Sequence, residues 1–315
     1  MLLDLMWSAT SNCNLRCRHC CRSARPERAT PHRADILQVL DHFPAAVGKI
    51  TLTGGELLAD RRYAYWLLGE ISQRRADGRL AVGEIELQTN GKIFFDERQD
   101  KVNAILRRLT DLGVSAFDVS GTGGYHLEQY PGFGIGEMSS LSDLSIASRL
   151  LVDGIGEKLA RGGVETHAWL FDSSSGTLKF THYSANERGT ALAMVRSNGR
   201  FDQVVPLGAG RDLPAHVRKT TLCNVIKILK SMREEEMPLT LFVDYIGDVY
   251  LCYYGAMKIG NIQNMPLEKV LQQAKYAGPA GRIIQFYEEL EKARLGNVPL
   301  PPLPPVPCHI CGPHN

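Results

Sequence analysis

The chain has 315 residues, of which 44% are hydrophobic and 22% are charged, a composition typical of a folded globular protein. Its 36 Lys and Arg residues nearly balance 34 Asp and Glu residues, and no long stretch carries charge of one sign. This argues against a dedicated nucleic-acid or membrane binder, so we expect neither partner. The apolar start, Met1–Ala9, is too short to span a membrane and lacks the basic residues of an export signal. It therefore predicts a first strand and a cytoplasmic protein.

Strand-like and helix-like segments alternate over the first two-thirds of the chain, which is typical of a parallel sheet wrapped by helices. Thr30 and Pro31 predict the start of the first helix, and Gly113 predicts the end of a helix with an apolar stripe over Val102–Leu112. The fold class is therefore α/β, either a barrel or a doubly wound sheet. The predicted strands are Leu2–Ser8, Lys49–Thr53, Glu84–Thr89, Ala116–Ser120, Val164–Phe171 and Phe201–Val205.

The pattern changes after about Arg211. Two strand-like runs within Leu239–Cys252 flank Ile246-Gly247-Asp248, which predicts a β-hairpin. The proline-rich stretch Pro299–Pro307 predicts an extended segment that carries a final pair of cysteines. We therefore predict a larger α/β domain followed by a small α+β domain, with bounds 1–211 and 212–315.

Eight cysteines in a cytoplasmic chain are better explained as metal ligands or catalytic groups than as disulfides. Cys13, Cys17 and Cys20 follow the first strand with the spacing C-x-x-x-C-x-x-C, and so short a loop can place three thiolates around one iron–sulfur cube. Three ligands leave one iron open for an amine and a carboxylate. The alternative is a zinc site made by these cysteines with His19 or Cys21.

This cysteine loop resembles the signature of the radical S-adenosylmethionine (SAM) superfamily. The resemblance implies a partial (β/α)6 TIM-like barrel in which the open iron binds SAM. It also implies that reduction cleaves SAM to a 5′-deoxyadenosyl radical, which takes a hydrogen atom from the substrate. An electron donor such as a flavodoxin or a ferredoxin is then the expected partner.

Further motifs follow the predicted strands in order. Thr53-Gly54-Gly55-Glu56 is similar to the superfamily's Gly-Gly-Glu motif, which implies that Glu56 holds the amino group of SAM. Gln88-Thr89-Asn90-Gly91 is similar to the strand end that meets the ribose or carboxylate, and Pro206-Leu207-Gly208 resembles the segment against adenine. Each motif alone is also compatible with an ordinary turn. The implied cofactor-binding residues are Gly54, Gly55, Glu56, Thr89, Asn90, Ser120, Pro206 and Gly208.

Four cysteines lie beyond the predicted barrel, and four thiolates can hold one 4Fe-4S cube. They are Cys223, Cys252, Cys308 and Cys311. The sequence around Cys252 resembles Twitch or shortened SPASM domains, which carry auxiliary clusters. The chain has too few cysteines for the two clusters of a full SPASM domain, so we expect SAM and two 4Fe-4S clusters, one binding SAM and one auxiliary. A four-cysteine zinc site is the alternative.

Three segments are similar to radical peptide epimerases: Cys13–Pro26, Ser120–Tyr130 and the closing Cys308-His309-Ile310-Cys311-Gly312. The resemblance implies a ribosomally synthesised peptide as substrate, modified by epimerisation or cross-linking. Those epimerases place a hydrogen-donating cysteine where this chain has Tyr253, so Tyr253 and Cys21 are the candidate catalytic residues. The alternatives for these two residues are a packing or loop role for Cys21 and a packing or hydrogen-bonding role for Tyr253. The alternatives are a small-molecule substrate, such as an aminoglycoside-type alcohol, and a non-enzymatic metal-binding adaptor.

Overall fold

The computed structural model describes residues 3–26, 28, 30–119, 128–130, 141–172, 177–183, 191–197, 212, 233, 238–251, 257–296 and 298–302. Within these ranges ten strands belong to one mixed sheet. They are β1 Leu3–Thr10, β2 Ala46–Gly54, β3 Ala81–Thr89, β4 Ala116–Val119, β5 Glu165–Asp172, β6 Thr177–Tyr183, β7 Leu192–Ser197, β8 Leu239–Asp244, β9 Asp248–Tyr250 and β10 Lys258–Asn261.

Seven α-helices lie in the described ranges, and a 3-10 turn, Leu57–Asp60, precedes the second of them. The helices are α1 Arg33–Asp41, α2 Arg61–Ala76, α3 Lys92–Asp96, α4 Gln99–Asp111, α5 Leu141–Arg161, α6 Leu267–Ala274 and α7 Gly278–Leu295. One or more helices separate each pair of successive strands from β1 to β4, and these strands pair in parallel. The α/β fold class with a parallel sheet is confirmed, and this arrangement is consistent with the predicted partial TIM-like barrel.

The sheet runs in the order β10-β9-β8-β1-β2-β3-β4-β7-β5-β6. Five of the six predicted strands correspond to β1–β5, and the sixth, at 201–205, lies outside the described residues. The sequence did not predict β7, which inserts between β4 and β5 and is parallel to both. β4 and β5, which are consecutive strands in the chain, are therefore not adjacent in the sheet.

The predicted hairpin is present, but it is joined to the main sheet, whereas the sequence predicted it in a separate small domain. β8 and β9 pair antiparallel around Gly247, whose φ is +80°, and the Asp244 carboxylate accepts hydrogen bonds from the backbone N–H groups of Ile246 and Asp248. β8 also pairs in parallel with β1, so this arm extends the main sheet. The proposed domain bounds at 211 and 212 remain a prediction.

The first helix begins later than predicted. α1 starts at Arg33 after His32, and no side chain caps it. The hydroxyl of Thr30, predicted to be the cap, instead donates a hydrogen bond to Asp60 Oδ2 at 3.3 Å. The predicted end of α4 is confirmed: Gly113 has a φ of +92°, and its N–H donates to the Thr110 carbonyl.

The two faces of the sheet differ because strand side chains alternate. One face carries apolar residues such as Trp7, Leu52 and Leu87, which join Ile36 of α1 and Leu67 of α2 in one core. The opposite face carries polar residues. In β1–β4 these are Ser8, Thr53, Gln88 and Asp118, which share one transverse row of the sheet. The carboxyl ends of the parallel strands therefore bring polar loops to one edge.

Candidate active site

Gly54 and Gly55 let the end of β2 approach the start of the cysteine loop. Gly55 N–H donates to the Thr10 carbonyl at 2.8 Å, and Glu56 N–H donates to the Asn12 carbonyl at 2.7 Å. A Cβ built on Gly55 would overlap the Asn12 carbonyl oxygen, and Gly54 has a φ of +133°. Both positions therefore require glycine for a close contact between backbones.

The cysteine loop is closed at its base by the backbone. Cys13 N–H donates to the Arg25 carbonyl at 3.2 Å, and Arg25 N–H donates to the Ser11 carbonyl at 3.3 Å. Inside this ring Cys13 and Cys17 are each only 8% exposed and pack with Leu15 and Ala24, while Cys20 packs against the same group. The fold thus gathers the three predicted ligands in one small apolar nest.

The electrostatics of this nest suit a bound cationic centre. Burial raises the pKa of the Cys13 thiol to about 12, and the charges of Glu56 and Cys20 raise it further. Burial and the charges of Cys13 and Cys20 also raise the pKa of Cys17. Thiolates are the metal-binding form, so three such groups need positive charge to be stable together. The three cysteines therefore fit an iron–sulfur cluster, whose irons would supply that charge.

His19 and Cys21 are the two residues that the zinc alternative adds. Burial lowers the pKa of His19 to about 4, so its imidazole is neutral near pH 7. Burial raises the pKa of Cys21, which keeps its thiol protonated. Within the described ranges, no three His, Cys, Asp or Glu side chains are placed to share a single metal ion.

The Glu56 carboxylate points into the protein rather than outward. Glu56 is 1% exposed, and burial raises its pKa. Its Oε1 accepts from Leu58 N–H at 3.0 Å, its Oε2 accepts from Asn90 N–H at 2.6 Å, and the Thr89 hydroxyl lies 2.9 Å from Oε2. Glu56 thus joins the end of β2 to the end of β3. Its predicted contact with the cofactor's ammonium stays a prediction, because three internal groups already bind this carboxylate.

Asn90 connects the end of β3 to the cysteine loop. Its side-chain Nδ2 donates to Asn14 Oδ1 at 2.8 Å and lies 3.9 Å from Cys13 Sγ, while its Oδ1 accepts from Lys92 N–H. Asn90 and Thr89, both predicted to bind the cofactor, therefore lie beside Glu56 and Cys13. The sequence did not predict the contacts of Asn90 and Thr89 with Glu56 and Cys13.

The segment Glu128–Tyr130 covers this junction and was not assigned a role from sequence. Glu128 forms a two-pronged ion pair with Arg18, with Nε–Oε2 and Nη2–Oε1 distances of 3.1 and 2.5 Å. Arg16 N–H donates to Gln129 Oε1, and the buried Tyr130 hydroxyl donates to the Asn90 carbonyl at 2.9 Å. The segment therefore holds the cysteine loop against the end of β3.

The remaining predicted residues lie outside the described part of the chain. These are Ser120, Pro206, Gly208, Cys223, Cys252, Tyr253, Cys308 and Cys311. Their predicted roles in cofactor binding, in the auxiliary cluster and in catalysis stay predictions.

Two family models match the chain. The radical SAM superfamily model matches residues 7–127, and the model of an iron–sulfur cluster-binding domain, SPASM, matches residues 237–295. The chain therefore contains a radical SAM domain followed by a SPASM domain. Its radical SAM domain includes the cysteine loop and the ends of β2 and β3, and implies SAM and a 4Fe-4S cluster. Its SPASM domain implies an auxiliary iron–sulfur cluster, so both cofactor predictions are confirmed at the level of the domains.

Among curated proteins, GTP 3′,8-cyclase 3 of Mycobacterium bovis and of Mycobacterium tuberculosis are each 38% identical to the chain over 114 residues. The match spans 34% of this chain and 29% of each relative, so it covers less than a third of the relatives' length.

Three solved structures have a similar chain fold at low sequence identity. BtrN in complex with AdoMet and 2-DOIA is 15% identical with a TM-score of 0.44, over 93% of this chain and 90% of that chain. Native anSMEcpe with bound AdoMet is 14% identical with a TM-score of 0.49, over 93% and 86%. Streptococcus suis SuiB bound to S-adenosylmethionine is 12% identical with a TM-score of 0.40, over 91% and 68%.

In the described residues, no helix combines the length and the apolar character that crossing a membrane requires.

Proposed function

We propose that this radical SAM enzyme takes a hydrogen atom from a ribosomally synthesised peptide and so starts an epimerisation or a cross-link. The observation that carries the radical chemistry is the convergence of three predicted segments at one sheet edge: the cysteine loop, Gly54–Glu56, and Thr89–Asn90. The peptide substrate is supported by the resemblance of the cysteine loop and of the closing cysteine pair to peptide epimerases.

In this proposal Cys13, Cys17 and Cys20 hold three irons of the catalytic cluster, and the fourth iron is left for SAM. When bound, the cluster supplies the electron that cleaves SAM to the 5′-deoxyadenosyl radical. The apolar nest around Leu15 and Ala24 keeps water from the thiolates. The segment Glu128–Tyr130 and Asn90 keep the loop in position.

The polar row on the face of the sheet opposite the apolar core is the proposed contact region for the substrate. Ser8, Thr53 and Asp118 are buried there, and Gln88 is partly exposed. The Thr53 hydroxyl donates to Gln88 Oε1, and Gln88 Nε2 donates to Asp118 Oδ2 at 3.0 Å. Ser8 lies beside Thr53 in the same row. Such a row carries hydrogen-bond donors and acceptors, which the backbone amide groups of a peptide could engage.

Cys223, Cys252, Cys308 and Cys311 are the proposed ligands of the auxiliary cluster. Cys21 is the proposed hydrogen donor if the reaction is an epimerisation, because a donor must carry S–H and burial raises the pKa of this thiol. Tyr253 is the second candidate donor.

A small molecule is the second candidate substrate. The observation that favours it is the match to relatives named for the cyclisation of GTP, although that match covers only a third of the chain. In this case the same polar row would bind a polyol, such as an aminoglycoside-type alcohol.

Transfer of deuterium into 5′-deoxyadenosine distinguishes the two substrates. The reconstituted enzyme is incubated anaerobically with SAM, a reductant and either deuterated peptides encoded by neighbouring short reading frames or deuterated aminoglycoside precursors. We expect deuterated 5′-deoxyadenosine with a peptide. The peptide's mass then falls by the transferred deuterium and one further hydrogen for a cross-link, or by one unit for epimerisation, in which a hydrogen from solvent replaces the deuterium. Deuterium transfer from the alcohol alone would overturn the peptide proposal.

A further inference from the structure

Arginines are concentrated on the cysteine loop and the segment that follows it. Residues 11–33 contain six arginines and one acidic residue, although the net charge of the whole chain is only +2. The rest of the chain therefore carries a small net negative charge. In the described residues Arg16, Arg18, Arg25, Arg28 and Arg33 are exposed. A local excess of positive charge thus lies on an otherwise nearly neutral protein.

The arginines surround the buried thiols. Arg16 and Arg18 flank Cys17 in the chain, and Arg25 is joined to Cys13 through the backbone hydrogen bond that closes the loop. The sulfurs lie inside the ring, while the side chain of Arg18 is 62% exposed. Arg16, Arg18, Arg25 and Arg28, here called the rim, are thus exposed residues of the loop that would hold the proposed cluster and of the segment directly after it.

One arginine of the rim forms an ion pair with a described carboxylate. Glu128 offsets the charge of Arg18. Among the residues that the structure describes, neither Arg25 nor Arg28 forms an ion pair. Arg22 stacks on Phe242 at 3.9 Å and is half-buried, so its charge adds to the field without being part of the rim.

We propose that this arginine rim is the docking surface for a small acidic one-electron carrier protein, such as a reduced flavodoxin or ferredoxin. In the transfer the carrier loses one electron and the cluster in the loop gains it, and no bond is formed or broken between the partners. Opposite charges on the two surfaces raise the association rate and make it fall with salt. The inference rests on the proposed position of the catalytic cluster in the cysteine loop, and it is independent of the substrate.

The test compares two double variants of the reconstituted holoenzyme. Arg25→Glu with Arg28→Glu reverses two rim charges and keeps the backbone bonds of Arg25. Arg107→Glu with Arg108→Glu is the matched control, because these exposed arginines end α4 at the opposite edge of the sheet from the cysteine loop. Reduction of the loop cluster is followed by anaerobic stopped-flow, with reduced flavodoxin as one reductant and photoexcited deazariboflavin, which is neutral, as the other.

With flavodoxin at low salt, the rim variant should be reduced about tenfold more slowly than wild type, and its rate should no longer fall with added salt. The control variant should keep most of the wild-type rate and its salt dependence. Both variants should be reduced normally by deazariboflavin. Equal slowing of both variants, or an unchanged rate in the rim variant, would overturn the docking proposal. Unchanged iron content and retained SAM cleavage after removal of Cys13, Cys17 and Cys20 would instead contradict the position of the catalytic cluster.

Discussion

Gly55 lies against Asn12 so closely that a Cβ on Gly55 would overlap the Asn12 carbonyl oxygen. The neighbouring Glu56 N–H donates to that same oxygen at 2.7 Å. This contact fixes the start of the cysteine loop relative to the end of β2, one residue before Cys13.

The first prediction is that Gly55→Ala displaces the cysteine loop and lowers the iron content of the catalytic site. The added methyl group must push the Asn12 backbone away, and overpacking of this kind costs about 1 to 3 kcal/mol. Iron and sulfide analysis after anaerobic reconstitution, together with the thermal unfolding temperature, measures both effects.

Gly69→Ala is the matched control. Gly69 lies in α2, and a Cβ built on it meets no atom within 4 Å. In a helix interior Ala is more stabilising than Gly by about 0.5 to 1 kcal/mol, so this variant should keep its iron and unfold at a slightly higher temperature. Full iron content in Gly55→Ala would show that the loop tolerates the displacement.

The second prediction concerns the division of the cysteines. Wild type should hold about eight irons and eight sulfides per chain, and replacing Cys13, Cys17 and Cys20 together by Ala should leave about four of each. The triple variant should no longer cleave SAM. Cys21→Ala is the control and should keep all eight irons. Formation of 5′-deoxyadenosine by the triple variant would refute the assignment of the catalytic loop.

The third prediction concerns the hydrogen bond from Asn90 to Cys13. Hydrogen bonds to ligating sulfurs stabilise the reduced cluster, so Asn90→Ala should lower its midpoint potential by tens of millivolts. The backbone bonds of Asn90 with Glu56 and Tyr130 remain in this variant. Redox titration followed by electron paramagnetic resonance measures the shift. Asn103→Ala, on α4, is the control and should keep the wild-type potential. A wild-type potential in Asn90→Ala as well would exclude this role for Asn90.

The sequence predicted the parts of the site that depend on local patterns. The cysteine spacing, the paired glycines and the polar end of β3 are all short motifs at the ends of strands with clear alternation. Since parallel strands place their carboxyl ends at one edge, their meeting also followed from the fold class. The two family models confirm the superfamily that these motifs suggested.

The sequence could not predict contacts between distant segments. β7 enters the sheet between β4 and β5, against the order of the chain. Tyr130 ends a segment that resembles peptide epimerases, but that resemblance gave the residue no contact, and only the fold brings its hydroxyl to the Asn90 carbonyl. The direction of the Glu56 carboxylate depends on the path of β3, since two of its partners are Thr89 and Asn90.

Glu56 is the residue for which sequence and structure suggest different roles. The motif implies a contact with the ammonium group of SAM, whereas the structure shows a carboxylate bound by Leu58 N–H, Asn90 N–H and the Thr89 hydroxyl. A role in holding β2 to β3 predicts a loss of stability when the carboxylate is changed. A direct contact predicts a loss of SAM affinity alone.

The last prediction is that Glu56→Gln lowers both stability and SAM affinity. The amide group that replaces the carboxylate can direct its oxygen to only one of the two backbone donors, so its NH2 group faces the other, and a buried unsatisfied donor costs about 1 to 3 kcal/mol. Thermal unfolding and SAM titration of the reconstituted protein measure the two effects. Glu157→Gln, at an exposed position on α5, is the control and should change neither. Weaker SAM binding at unchanged stability would favour the direct contact with the ammonium group, and no change in either quantity would exclude both roles.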